Sequence, residues 1–371
     1  ALRMHEMVTA RDKKMMMWGD IVLKHPGIMS QLPNDVLLLD WGYEAGYPFD
    51  RNGSKFDSAG ISFLVCPGTS SWTSITGRTD NMLNNIENAA VNGKKHHARG
   101  LLVTDWGDMG HWQYPPVSYA GYATAGALGW NSTTASVMPL RQFLDSYLYE
   151  DPEGQMAGFT LDMGEYNQFE EFQMFNMTTT MLAFQFGLRD RVVARAIFQK
   201  VIQGITAMMK DVAPDMLDTV NMRITNRKSF EYNRLLEFLD KQESLLDNLR
   251  FNMADSMLIK DEYRNSISLI RLGAVIKHYI LNRENYTPDQ ELRHLQQMDS
   301  LCSRYLSENK RLWLIRNKPG GYDTSVAPLI VLQKQISDRT AVLHKSTFHR
   351  SWNRLVEKLA SAATVIYLKL V

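Results

Sequence analysis

Apolar residues in the first third of the chain come in four short, nearly continuous runs, at 15–18, 36–39, 61–65 and 101–103, each closed by Gly or Pro. Runs of that length and character fit strands buried on both faces. Between them, 21–32, 51–59 and 79–97 have helical character, and the stretch from Asn81 to Ala90 has the clearest amphipathic spacing. Strand, helix, strand, helix in that rhythm predicts parallel strands joined by crossover helices. From about residue 136 the pattern changes to long helices, predicted at 174–186, 189–210, 229–250, 262–281, 288–309 and 326–359. Thr287-Pro288-Asp289-Gln290 reads as a helix start, since Thr caps and Pro suits the first helical position. Asn317-Lys318-Pro319-Gly320-Gly321 reads as a break. The stripe Phe198-Ile202-Ile205 and the pair Met208-Met209 are expected in a helical core. The expected organisation is an α/β part over 1–135 followed by an all-α part over 136–371.

Three of the four runs lead into the same dipeptide: Trp18-Gly19-Asp20, Trp41-Gly42-Tyr43 and Trp106-Gly107-Asp108. In a parallel α/β fold the C-terminal strand ends form the ligand-binding face. A single Trp there could as well cap the core, but three together, two followed by Asp, favour a site. Flat aromatic faces suit the C–H faces of pyranose rings, and carboxylates grip hydroxyls with charge-assisted hydrogen bonds. Trp106-Gly107-Asp108 with Gly110-His111-Trp112 supplies both chemistries within seven residues, and Cys66-Pro67-Gly68-Thr69-Ser70-Ser71-Trp72 ends the third run in hydroxyls and another Trp. The candidate sugar-binding residues are therefore Trp18, Asp20, Trp41, Tyr43, Trp72, Trp106, Asp108 and Trp112.

Other chemistries fit less well. Gly68-Thr69-Ser70-Ser71 lacks the nucleophile-elbow spacing of a serine hydrolase. Asp105, Asp108 and His111 are close enough in sequence for a metal, but a hydrogen-bonded histidine explains them better and no metal or cofactor is expected. The glycines after the tryptophans do not make a phosphate-cradling loop. With 41 Lys plus Arg against 40 Asp plus Glu, the chain offers no electrostatic reason to bind nucleic acid or an anionic membrane. No apolar stretch is long enough to span a bilayer. Only two cysteines, Cys66 and Cys302, exclude a disulfide framework and lean towards a reducing compartment. The opening Ala1-Leu2-Arg3-Met4-His5-Glu6-Met7 reads as the middle of a helix, so the chain is expected to be cut from a longer one, and export stays open.

The order of these motifs resembles glycoside hydrolase family 20, the β-N-acetylhexosaminidases, in its bacterial branch with an added helical region. The resemblance covers about residues 1–130 well, and the helical part more loosely through Leu312-Trp313-Leu314-Ile315-Arg316-Asn317-Lys318-Pro319-Gly320-Gly321. It implies the C-terminal half of a (β/α)8 barrel, strands five to eight, with an N-acetylglucosaminide or N-acetylgalactosaminide as substrate. Trp18, Trp41 and Trp106 match the tryptophans that box the substrate's acetamide. Asp108 matches an acid that holds the outer hydroxyls, usually Glu in the family. The reaction implied is substrate-assisted, the acetamide oxygen attacking the anomeric carbon while an Asp-Glu pair orients it and protonates the leaving group. That pair falls before residue 1, so the chain alone is expected to be inactive. The family's strand-seven Asp and Tyr are also missing from Val65-Cys66-Pro67-Gly68-Thr69, leaving Tyr43 or a hydroxyl of 69–71 as substitutes. Two alternatives remain: another retaining barrel glycosidase using Asp108 or Glu44, or a non-catalytic carbohydrate-binding protein. A half-barrel would expose the edge of its first strand, with homodimerisation or marginal solubility as the expected result.

Overall fold

Strands β1 (Met16–Trp18), β2 (Leu37–Trp41) and β3 (Phe63–Cys66) form a parallel sheet in that order in the computed structural model, which describes residues 1–132, 139–189, 191–212, 228–345 and 347–370. The register aligns Trp18 with Leu39 and Trp41 with Cys66, so successive strand ends come level on one side of the sheet. The fourth apolar run makes only two isolated parallel bridges, Val65 to Leu101 and Gly68 to Thr104. Leu102 donates to the Val65 carbonyl and Thr104 to that of Pro67. Between them Pro67, with no N–H, cannot supply the bond that would join the bridges into a continuous ladder.

Helix α1 (Leu2–Thr9) precedes the sheet, and α2 (Asp20–Lys24), α3 (Phe49–Ser58) and α4 (Thr79–Lys95) follow the strands. The helix expected at 21–32 is broken. Pro26 pushes His25 out of helical geometry (φ −127, ψ 65), and the chain goes on as a 3-10 turn, Pro26–Gln31. Val22, Leu38, Phe49, Phe56, Phe63 and Val65 pack into one buried cluster under the sheet. At the edge of the sheet, Met16 is 47 % exposed and α1 buries none of its residues, leaving Leu2, Met4 and Met7 open to solvent.

Helix α5 (Tyr119–Trp130) leads into the helical part, whose principal helices are Thr179–Phe186, Arg191–Val212, Tyr232–Asn248, Ser256–Asn282, Pro288–Arg316, Tyr322–Leu343 and Thr347–Leu370. Thr287 and Gln290 form a reciprocal capping box, as their order suggested. The expected helix over 326–359 is two helices. That over 174–186 starts only at Thr179, where the Thr178 side chain caps it, leaving 170–178 irregular. Phe198, Ile202 and Ile205 are half-buried, while the side chains of Met208 and Met209 lie outside the described residues. The expected 135/136 boundary also lies outside them. On either side of it one core is shared: Met82, Ile86, Trp112 and Val117 belong to the same buried cluster as Tyr149, Tyr263, Ile270, Leu329 and Ile336.

Candidate functional site

A cavity of about 450 Å³ opens at the C-terminal strand ends, lined by Trp18, Asp20, Trp41, Gly42, Tyr43, Tyr47, Trp106, Asp108, Phe175 and Asn176. Six of the eight residues proposed from sequence are therefore brought together: Trp18, Asp20, Trp41, Tyr43, Trp106 and Asp108. Trp18 and Trp106 meet with ring centroids 6.3 Å apart, and Trp41 lies 5.3 Å from Tyr43. The indoles are oriented by polar partners. Trp41 Nε1 donates to Asp20 Oδ1 at 3.4 Å, Trp106 Nε1 to the Tyr43 hydroxyl at 3.0 Å, and Gln113 Nε2 to the Trp106 carbonyl at 2.6 Å.

Trp72 and Trp112 are corrections, for the structure does not bring them to the cavity. Trp72 is 1 % exposed and stands edge-on behind Tyr43, centroids 5.1 Å apart. Trp112 is 2 % exposed, packs edge-on against Phe184 and donates Nε1 to the Ser325 carbonyl at 3.0 Å. Each is a large apolar body that the fold uses as core. The hydroxyls of Thr69, Ser70 and Ser71 are likewise buried: Thr69 and Ser71 donate to Asp105 Oδ1, and Ser70 accepts from Asn81. Asp105 takes the Tyr122 hydroxyl on its other oxygen. Of the hydroxyls considered as substitutes, Tyr43's is the one that lines the cavity, and burial raises its pKa.

What holds Tyr43 there is a stripe of asparagines on α4. Asn81, Asn85 and Asn88 recur at i, i+4 and i+7, on one helix face. Asn81 Nδ2 donates to the Tyr43 carbonyl at 2.7 Å, and Asn85 Nδ2 to those of Gly42 and Glu44 at 2.9 and 2.8 Å. Asn85 Oδ1 accepts from Gly68 N–H at 3.0 Å, and Asn88 Nδ2 donates to the Ala45 and Tyr47 carbonyls. The turn after β2 thus has its backbone groups satisfied by a neighbouring helix. Gly42 permits the tight approach, because a Cβ there would come within 2.1 Å of the Tyr47 ring. Sequence reasoning missed this stripe, although the Asn spacing was visible.

Glu44 is not a free acid. It is 1 % exposed and accepts from Arg78 Nη1 at 2.7 Å and from the backbone N–H of Asn176 at 2.9 Å. It therefore anchors the irregular segment 170–178, which carries Phe175 and Asn176 into the cavity wall from the helical part. These two and Tyr47 are the site residues that sequence reasoning did not find.

Below the cavity, Asp40 is 1 % exposed and accepts from Tyr47 and Asn52 on Oδ1, while Oδ2 has no hydrogen-bond partner among the described residues. Burial pushes its carboxyl up to about 7, against the lowering effect of those hydrogen bonds. Between the ordinary carboxylate range and pH 7 the folded chain holds a proton that the unfolded chain has lost. Stability must therefore fall as pH rises through that window, by about 4 kcal/mol at most. Asp40→Asn, neutral at every pH, should melt several degrees above the native chain at pH 8 and no higher at pH 4. Equal melting shifts at both pH values would refute the assignment.

No family model matches this chain, and no curated protein matches it either.

Proposed function

We propose that the chain is the sugar-clasping part of an exo-acting β-N-acetylhexosaminidase, the half of a (β/α)8 barrel that follows its proton donor. The observation that carries this reading is the convergence of Trp18, Trp41, Trp106, Tyr43, Asp20 and Asp108 on one cavity at parallel strand ends. Its volume, about 450 Å³, falls within the roughly 300–1,000 Å³ of small-molecule sites. Aromatic walls suit both the pyranose face and a flat acetamide. Among the described residues, the lining includes two carboxylates and no Lys or Arg, which favours neutral sugars over anionic ones.

In this reading the tryptophans enclose the acetamide and hold its oxygen against the anomeric carbon, gaining rate through positioning. The Tyr43 hydroxyl donates to that oxygen, and Asp108, exposed at the rim, accepts the outer hydroxyls. The acid that protonates the leaving group is assigned to the Asp-Glu pair that the family resemblance places on the preceding strand. Titrating the chain with N-acetylglucosamine should quench tryptophan fluorescence, glucose doing so far less; no response to either sugar would refute the reading.

A second reading, a retaining glycosidase with Asp20 and Asp108 as its carboxylate pair, draws support from their sharing the cavity. Asp108→Asn separates the two. As a binding residue, Asp108 contributes a charge-assisted hydrogen bond, so the complete enzyme should lose about 10- to 150-fold in kcat/KM with its melting unchanged. As a nucleophile it would lose more than about a thousandfold in turnover, with rescue by azide.

A further inference from the structure

We propose that Ser325, on the helix Tyr322–Leu343, is a positioning residue of the sugar site, clamping the loop that holds Asp108 at the cavity rim. The proposal rests on the carbohydrate reading of the cavity and adds what the helical part does for it. Asp108 lines the cavity, and its carboxylate has no hydrogen-bond or ion-pair partner among the described residues. Its place is therefore set by its backbone, in the short 3-10 turn Asp108–Gly110.

That turn is not one the chain would hold unaided. Met109, Gly110 and His111 have φ of 53, 109 and 54, three left-handed residues in a row. Such geometry at Met and His persists only where the surroundings impose it. Here they come from 215 positions further along the chain. The Ser325 hydroxyl donates to the Gly110 carbonyl, and the Ser325 carbonyl accepts from Trp112 Nε1 at 3.0 Å. One residue thus grips the loop on both sides of His111. Gly110 lets it come close: a Cβ there would lie 2.6 Å from Trp112 Nε1 and 3.0 Å from the Ser325 carbonyl oxygen. His111 packs edge-on against Trp313 of the helical part, centroids 6.2 Å apart. Ser325 itself is 4 % exposed, and its N–H donates to the Gly321 carbonyl at 2.9 Å, so the clamp is fixed where the two parts meet. A carboxylate held by a rigid support binds a hydroxyl without first losing freedom of its own.

Ser325→Ala is the informative variant, because it removes one oxygen, keeps the carbonyl that Trp112 uses and suits a helix. Binding of N-acetylglucosamine is read by tryptophan fluorescence, with thermal melting and chymotrypsin cleavage within residues 106–112 alongside. The expected result is a rise in Kd of about three- to tenfold, the scale of one lost hydrogen bond. The loop should be cut faster while melting stays close to native, since the opening is local. Ser325→Thr, which keeps a hydroxyl, should restore both affinity and resistance to cleavage. Unchanged Kd for Ser325→Ala overturns the proposal, whatever the melting does. A raised Kd with the loop cut at the native rate also overturns it, because Ser325 would then act on the site by another route. A native chain that binds no sugar refutes the carbohydrate reading and the proposal with it, an outcome that the native titration identifies before any variant is made.

Discussion

Asn85→Leu should destabilise the chain by about 3–5 kcal/mol and loosen the turn that carries Tyr43. Leu keeps the same branched outline without polar atoms but is bulkier, so the loss is mainly one of hydrogen bonding with some overpacking added. The Gly68 N–H and the carbonyls of Gly42 and Glu44 would all be left without the partner they now have, at a position that is fully buried. Each such orphan costs about 1–3 kcal/mol, and partial relaxation keeps the sum below the maximum. Asn84→Ala, one residue away on the exposed face of α4, should change stability by less than about 0.5 kcal/mol. Urea unfolding of both variants checks the pair. A cost for Asn85→Leu no greater than that of Asn84→Ala would mean that the asparagine stripe does not position the site.

Glu44→Ala should cost about 3–5 kcal/mol, the usual penalty for removing one partner of a buried ion pair. Arg78 is 4 % exposed, and its Nε and Nη2 have no hydrogen-bond partner among the described residues, so Glu44 is what neutralises it. The variant would also release the N–H of Asn176, and sugar affinity should fall with stability. Replacing both charges, Glu44→Leu with Arg78→Met, should recover much of the stability, because paired charges taken from water gain little over apolar packing. It should not recover the affinity, since the anchor of Asn176 is still missing. Melting and fluorescence titration of the three variants separate the two effects. Full recovery of binding in the double variant would show that Glu44 acts on the site only through overall stability.

Periodicity determined the parts of this protein that depend on neighbours in sequence. The apolar runs located three parallel strands, Thr287 and Gln290 announced their own capping box, and the repeated Trp-Gly pairs marked Trp18, Trp41 and Trp106 for one face. Those signals survive because strand direction and helix capping are local: parallel strands must all end on the same side. Local signals misled where a single proline intervened. Pro26 broke the expected second helix, and Pro67 split the fourth strand pairing into two bridges.

Tertiary structure alone decided which aromatic rings and polar groups face the cavity. Trp72 and Trp112 share the composition of the other loop tryptophans, yet their chains fold back against Tyr43 and Phe184 and bury them. The asparagines of α4 would ordinarily be placed on a solvated face, but here they turn inward because the turn after β2 needs partners for its backbone. Phe175 and Asn176 lie well over a hundred residues from Trp41 in the chain and reach the site because Glu44 and Thr73 hold their loop. Sequence period encodes which face of an element is apolar; which distant segment meets that face is set by packing across the shared core.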